Sequence, residues 1–219
     1  MIDLRASARI EMDKTSEAVR VFPWEDARAY GLWLAQTYQM VNHSTRLVAL
    51  AGAYTPIDKN ELHARFVDHA KEERGHQLIC IADLKALGKT LADFPCLFQS
   101  AAMYQIQYYW VQHRGAVSFF GYTLALECLA AAFGARVHDR VVRAHGESAA
   151  RFLKVHSEAD LEHTEMAFRA LEKLSASERE LVQENLELSA NLYRSMLDEV
   201  RSRTEARGPQ VLEQGKKAA

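Results

Sequence analysis

From about Trp24 to about Thr204 the apolar residues recur at the three- and four-residue spacing of a helix, and no stretch alternates as a half-buried strand would. Only ten glycines and four prolines punctuate the 219 residues. So few breakers leave the chain little choice but long helices joined by short turns, and the fold class is all-α. A hydrophobic share of 48% suffices for one packed domain. The expected organisation is an N-terminal extension over 1–24, a helical domain over 25–204 and a disordered polar tail over 205–219.

The periodicity predicts seven helices in that domain. The first covers about 25–53. The second covers about 56–87, with Thr55 as N-cap and Pro56 as its first residue, and Gly88 closes it. Further helices are expected over about 99–113, 116–133, 135–144 and 147–174. A capping box, Ser175-Ala-Ser-Glu178, opens the last, which runs to about 204.

Charge narrows the partners. With 27 basic against 29 acidic residues and a net charge of -2, no basic patch is available to track a phosphate backbone, and nucleic acid is not an expected partner. Residues 1–14 lack the apolar core of a signal peptide, and no apolar run approaches the roughly 20 residues that span a bilayer. The chain is expected to be cytoplasmic, without a membrane partner. Cys80, Cys96 and Cys128 form no Cys-x-x-Cys pair, which removes zinc-ribbon and dithiol readings. Scattered thiols suit a reducing compartment, each as a small core hydrophobe.

Two segments carry chemistry. His69-Ala-Lys-Glu-Glu73-Arg-Gly-His76 and His156-Ser-Glu-Ala-Asp160-Leu-Glu-His163 share one template: a histidine, a carboxylate four residues on, and a second histidine three beyond that. On a continuous helix these offsets align the three side chains in one stripe, and each segment is then half of a site. Spacing alone does not establish this, because a chain with 29 acidic residues and nine histidines produces a carboxylate-x-x-His match by chance.

Glu127 adds independent weight. It stands in Phe119-Phe-Gly-Tyr-Thr-Leu-Ala-Leu-Glu-Cys-Leu-Ala-Ala-Ala-Phe133, where the residues one turn away on either side are apolar or small. A helix apolar nearly all round is buried, and a buried carboxylate is kept when it is paired or holds a metal. The inventory is then His69, Glu73, His76, Glu127, His156, Asp160 and His163. Mixed nitrogen and oxygen donors suit iron or manganese better than a structural zinc. Carboxylates bridge paired metals and stabilise the charge that builds up when dioxygen is reduced, so a dinuclear redox site fits better than a hydrolytic one.

The run from His69 to Gln77, then Asp83-Leu-Lys-Ala-Leu-Gly88, then Gly121-Tyr-Thr-Leu-Ala-Leu-Glu127, then His156-x-x-x-Asp160-x-x-His163, resembles the heme-oxygenase-like di-iron oxidases and oxygenases, the iron-containing redox enzymes. The resemblance covers about 30–193. It implies a single-domain, seven-helix, heme-oxygenase-like bundle that holds two Fe(II)/Fe(III) ions, with manganese the alternative and no heme. Dioxygen and a small organic molecule are the implied substrates, with an electron donor as a further partner and a homodimer as the default assembly. The implied reactions are N-oxygenation, oxidative decarboxylation or carbon-carbon cleavage. His76, Glu127, His156, Asp160 and His163 are the implied ligands. Relatives carry a carboxylate seven residues before the first histidine, where this chain has His69. Either His69 binds in its place or Glu73 supplies the carboxylate, with Glu72 replacing Glu73 if the helix is rotated.

Other residues carry less. His43 stands about where heme oxygenases have their heme ligand, and a pocket or interior hydrogen-bonding role is the expected one. Tyr104, Tyr108, Tyr109 and Trp110 are expected in the core. Tyr122, five residues before Glu127, is expected to point away from the site. Arg46, Arg114 and Arg151 are equal candidates to hold a substrate carboxylate. Two other classes compete: a metal-free member of the same fold, thiaminase-like or quinone-biosynthesis-like, and a ferritin-like iron-handling bundle.

Overall fold

The structure, a computed structural model, describes residues 2–206, apart from the side chains of 158–163. Eight α-helices form among the described residues: α1 (Leu4–Val21), α2 (Ala27–Tyr54), α3 (Asn60–Glu72), α4 (His76–Ala86), α5 (Phe98–Tyr109), α6 (Phe119–His145), α7 (Arg151–Leu171) and α8 (Ala176–Glu205). No strand occurs among those residues. The all-α class stands, with three changes to the expected helix list.

The first change is α1, in what was expected to be an extension. Asp3 caps it through the amides of Arg5 and Ala6, and Leu4, Ala8, Met12 and Val19 are buried. Glu11 is buried with them and pairs with Arg194 of α8 at 2.8 Å and with Lys14 at 2.6 Å. A buried carboxylate held by two cations fastens α1 onto α8, so α1 packs against the bundle. The second change fuses 116–133 with 135–144, because Gly134 sits inside α6 without breaking it. The third change splits the expected helix 56–87. Pro56 precedes a short 3-10 turn, α3 begins only at Asn60, and Gly75 (φ 97°) ends it before α4 begins.

α6 is the core helix and packs chiefly on α7 and α8. Residues 116–145 contain an 18-residue window apolar enough to cross a membrane by composition, yet 72% of that window is buried inside the bundle. Asn185 of α8 ties the layers together: its amide donates to Gln107 Oε1 of α5 at 2.7 Å and to the Ser118 carbonyl at 2.9 Å. The capping box forms as expected, with Ser175 and Glu178 serving one another's amides. Cys80 and Cys128 are core residues, but Cys96, in the loop before α5, is exposed.

Asp83 joins α4 to α7. It is fully buried, and its carboxylate accepts the Phe152 amide at 2.8 Å, capping the start of α7 from a neighbouring helix. Burial pushes its pKa up to about 6, outweighing the backbone amides and the Arg151 charge that favour ionisation. The folded protein therefore keeps a proton that the unfolded chain releases near pH 4. This contribution to stability is fully present below about pH 4 and is lost as pH rises to about 6, a fall of roughly 1–3 kcal/mol. Denaturant midpoints measured from pH 4 to 7 are expected to show that fall in the wild type and lose it in Asp83→Asn.

Candidate metal centre

The break at Gly75 shapes the first half of the site. Glu73 caps α3, its amide bonded to the His69 carbonyl at 3.0 Å, and His76 opens α4 after the left-handed glycine. The two histidines therefore approach from different helices. His69 Nε2 lies 3.7 Å and His76 Nδ1 3.6 Å from the same oxygen, Glu73 Oε1. One continuous stripe, the expected arrangement, would stack these groups along a helix instead of converging them on one carboxylate. Nothing lies within 4 Å of where a Gly75 side chain would point, so Gly75→Ala meets only backbone strain. A cost of about 1–2 kcal/mol, or roughly 2–8 °C in melting temperature, is expected from a thermal unfolding curve.

α6 brings Glu127 to the same cluster, with Oε1 3.6 Å from His69 Nε2 and the side chain buried. α7 brings His156, whose ring stands 4.9 Å from that of His76 and stacks on Phe152 at 4.0 Å. The close approach of α6 and α7 makes this reach work: a Cβ on Gly134 would stand 2.9 Å from Ser157 Cβ, one residue beyond His156. His156 Nδ1 is 2.9 Å from the Phe152 carbonyl, which can only accept, so Nδ1 carries the proton and Nε2 is left as donor atom. Burial opposes ionisation of Glu73, yet the imidazoles of His69 and His76 hold its carboxyl well below the usual range.

Donor atoms of Glu73, His76 and His156 all lie within 4.8 Å of one another. The spacings to Glu73 are too long for hydrogen bonds, and two ligands about 2.1 Å from one ion stand only slightly closer, roughly 3.0–3.4 Å apart. Carboxylate and imidazole donors of this kind fit iron. The structure brings His69, Glu73, His76, Glu127 and His156 together. Both candidates for the uncertain position, His69 and Glu73, face the cluster, and Glu72 pairs with Arg65 at 3.2 Å. The side chains of Asp160 and His163 lie outside the described residues.

A cavity of about 140 Å³ opens beside the cluster, lined by His69, Glu73, Glu127 and His156 and otherwise mainly by apolar side chains. It lies between α2 and α6, which make few contacts with each other. Tyr122 lines it too, contrary to the expectation that it points away. α6 presents two adjacent stripes to the cavity, Tyr122–Leu126–Leu129–Phe133 and Thr123–Glu127–Ala130–Gly134, so a residue five before Glu127 still faces inward. Burial pushes the Tyr122 hydroxyl well above the usual phenol range, and the Glu73 charge adds to this. Thr37 of α2 was absent from the expected site and also lines the cavity.

The remaining candidates lie elsewhere. His43 Nδ1 contacts the Tyr108 hydroxyl at 2.9 Å and stacks on Tyr104 at 4.0 Å, the interior hydrogen-bonding role expected of it. Trp110 is buried, but Tyr109 is exposed. Arg114 pairs with Glu184 at the surface, Arg46 donates to the Asn42 carbonyl, and Arg151 is exposed.

Fold and site together define a helical bundle that encloses a carboxylate–imidazole cluster, a candidate metal site. Residues 32–194 match the model of the iron-containing redox enzymes, and the chain belongs to that family. A solved domain of unknown function with a heme oxygenase-like fold, from Shewanella denitrificans, is similar over 94% of this chain and 95% of its own, with a TM-score of 0.78 and 20% identity. A TenA homologue from Pseudomonas syringae pv. tomato is similar over 89% of this chain and 92% of its own (TM-score 0.72, 14% identity). Another TenA homologue, from Pyrococcus furiosus, is similar over 89% and 99% (TM-score 0.61, 12% identity). At these identities the likeness shows the fold. No curated protein matches the sequence.

Proposed function

We propose that this protein is a non-heme di-iron oxidase or oxygenase that uses dioxygen to oxidise a small organic substrate. The observation that carries the reading is the convergence of Glu73, His76 and His156 beside buried Glu127 and His69. Glu73, Glu127, His76, His156 and His69 would hold the iron, with Asp160 and His163 of α7 completing the set. Bound iron supplies the redox chemistry with dioxygen. The chain contributes geometry and exclusion of water. Phe152 fixes the His156 ring through its carbonyl and its face. The cavity walls keep the site dry, so charges within it are felt more strongly than in water.

A second reading, a metal-free member of the fold acting by acid-base chemistry, is favoured by the likeness to TenA homologues. Stepwise addition of ferrous iron in air separates the readings. Oxidation is expected to saturate at about two irons per chain. Oxidation continuing far past that point would favour a ferritin-like iron handler, and no tight uptake would favour the metal-free reading.

A further inference from the structure

The cavity beside the cluster is a slot. α2 contributes Trp33, Thr37, Met40, Ser44 and Val48, one residue per turn over four turns, or roughly 22 Å along the helix. The walls are aliphatic and aromatic. The two indoles that line it have their N–H groups committed, Trp24 to the Val19 carbonyl at 2.9 Å and Trp33 to the Tyr193 hydroxyl at 3.0 Å, so they offer only apolar faces. Among the described residues no arginine or lysine lines the slot. An anionic head group would find no arginine or lysine counter-ion there and would face the carboxylates of Glu73 and Glu127.

Two hydroxyls in the walls remain unsatisfied. Thr37 Oγ1 and the Tyr122 hydroxyl are buried and have no hydrogen-bond partner. A threonine inside a helix ordinarily bonds the carbonyl one turn back, and Thr37 does not. Buried polar atoms left without a partner are rare and call for an explanation, and a polar group of a bound molecule is one. Both belong to residues that line the slot, one on α2 and one on α6.

We infer that the slot binds an extended, mainly aliphatic molecule that carries no negative charge and has a hydroxyl or carbonyl group, and that Thr37 and Tyr122 pair with that group. As the substrate class of the enzyme, this rests on the function proposed above. As a binding site it stands without iron. A neutral head keeps the transfer into an apolar slot favourable, and each buried methylene adds about fourfold in affinity until the slot is full.

The test uses metal-free full-length protein and the fluorescence of Trp24 and Trp33, with calorimetry in parallel. Butan-1-ol, hexan-1-ol, octan-1-ol and decan-1-ol are compared with octanoate at pH 7. Affinity is expected to climb about fourfold per methylene and then level off, with octan-1-ol at least about tenfold tighter than octanoate. Val137→Phe, which fills part of the slot, is expected to make affinity level off at a shorter alcohol. Thr37→Val and Tyr122→Phe are each expected to weaken octan-1-ol severalfold while leaving the gain per methylene unchanged. Octanoate binding as tightly as octan-1-ol would overturn the inference, as would an absence of alcohol binding to the folded wild type. Since no iron is present, these results are independent of whether iron is taken up. Alcohol binding without iron uptake would refute the di-iron reading alone, and iron uptake with tight octanoate binding would refute this inference alone.

Discussion

Gly121→Ala is expected to lower stability by more than about 3 kcal/mol, or roughly 6–12 °C in melting temperature for a chain of this size. The cause is the crossing of α6 and α8. A Cβ at position 121 would overlap the Val182 carbonyl oxygen and stand 2.5 Å from the Leu186 amide nitrogen and 2.9 Å from the Asn185 carbonyl carbon. These obstacles are backbone, so no rotamer change relieves them, and the helices must separate. Separation also strains the Asn185 bonds to Gln107 and Ser118, a buried polar network that tolerates little displacement. Gly134→Ala meets Ser157 Cβ at 2.9 Å and Cα at 3.3 Å, a milder overlap than the backbone atoms facing Gly121 impose, and is expected to cost less. Thermal or denaturant unfolding of the two variants checks the order, and equal stability of Gly121→Ala and wild type would mean that α6 and α8 are farther apart than described.

Glu127→Ala is expected to act differently on the metal-free protein and on its iron complex. In the metal-free protein the substitution removes a buried carboxylate whose desolvation is set against its contact with His69 at 3.6 Å, so the melting temperature should change by no more than a few degrees. In the iron complex it removes an oxygen donor. Loss of a partner that merely orients a ligand costs about 10–100-fold in metal affinity, so loss of a donor should cost at least about 100-fold. Equilibrium titration with ferrous iron under anaerobic conditions, beside unfolding curves of both forms, separates these effects. A structural Glu127 would give the reverse pattern, with a destabilised metal-free protein and unchanged iron affinity.

Much of this was legible in residue spacing, and the exceptions have specific causes. Periodicity and the shortage of breakers pointed to the all-α class, and Ser175 with Glu178 marked the start of α8 by a local rule. The apolar surroundings of Glu127 foretold its burial. The split at Gly75 was signalled by a glycine following Glu72-Glu73-Arg74, the pattern of a helix stop, but a continuous stripe of ligands suggested an unbroken helix. α1 escaped notice because its buried face includes Glu11 and Thr15, whose burial depends on Arg194 some 180 residues away. Pairings of that kind cannot be read from one segment. The same holds for Thr37 and Tyr122: the slot they line exists only once α2 and α6 are held apart, and no local pattern in either helix records the distance between them.

The most direct measurement is the number of irons held by the wild-type chain after anaerobic loading with ferrous iron and removal of the excess, determined by metal analysis beside His156→Ala and Glu127→Ala. The expected result is about two irons per wild-type chain, with a clear loss in both variants while each stays folded. Less than about one iron per chain in the wild type, or equal iron in all three proteins, would contradict a di-iron centre built on Glu73, His76, Glu127 and His156.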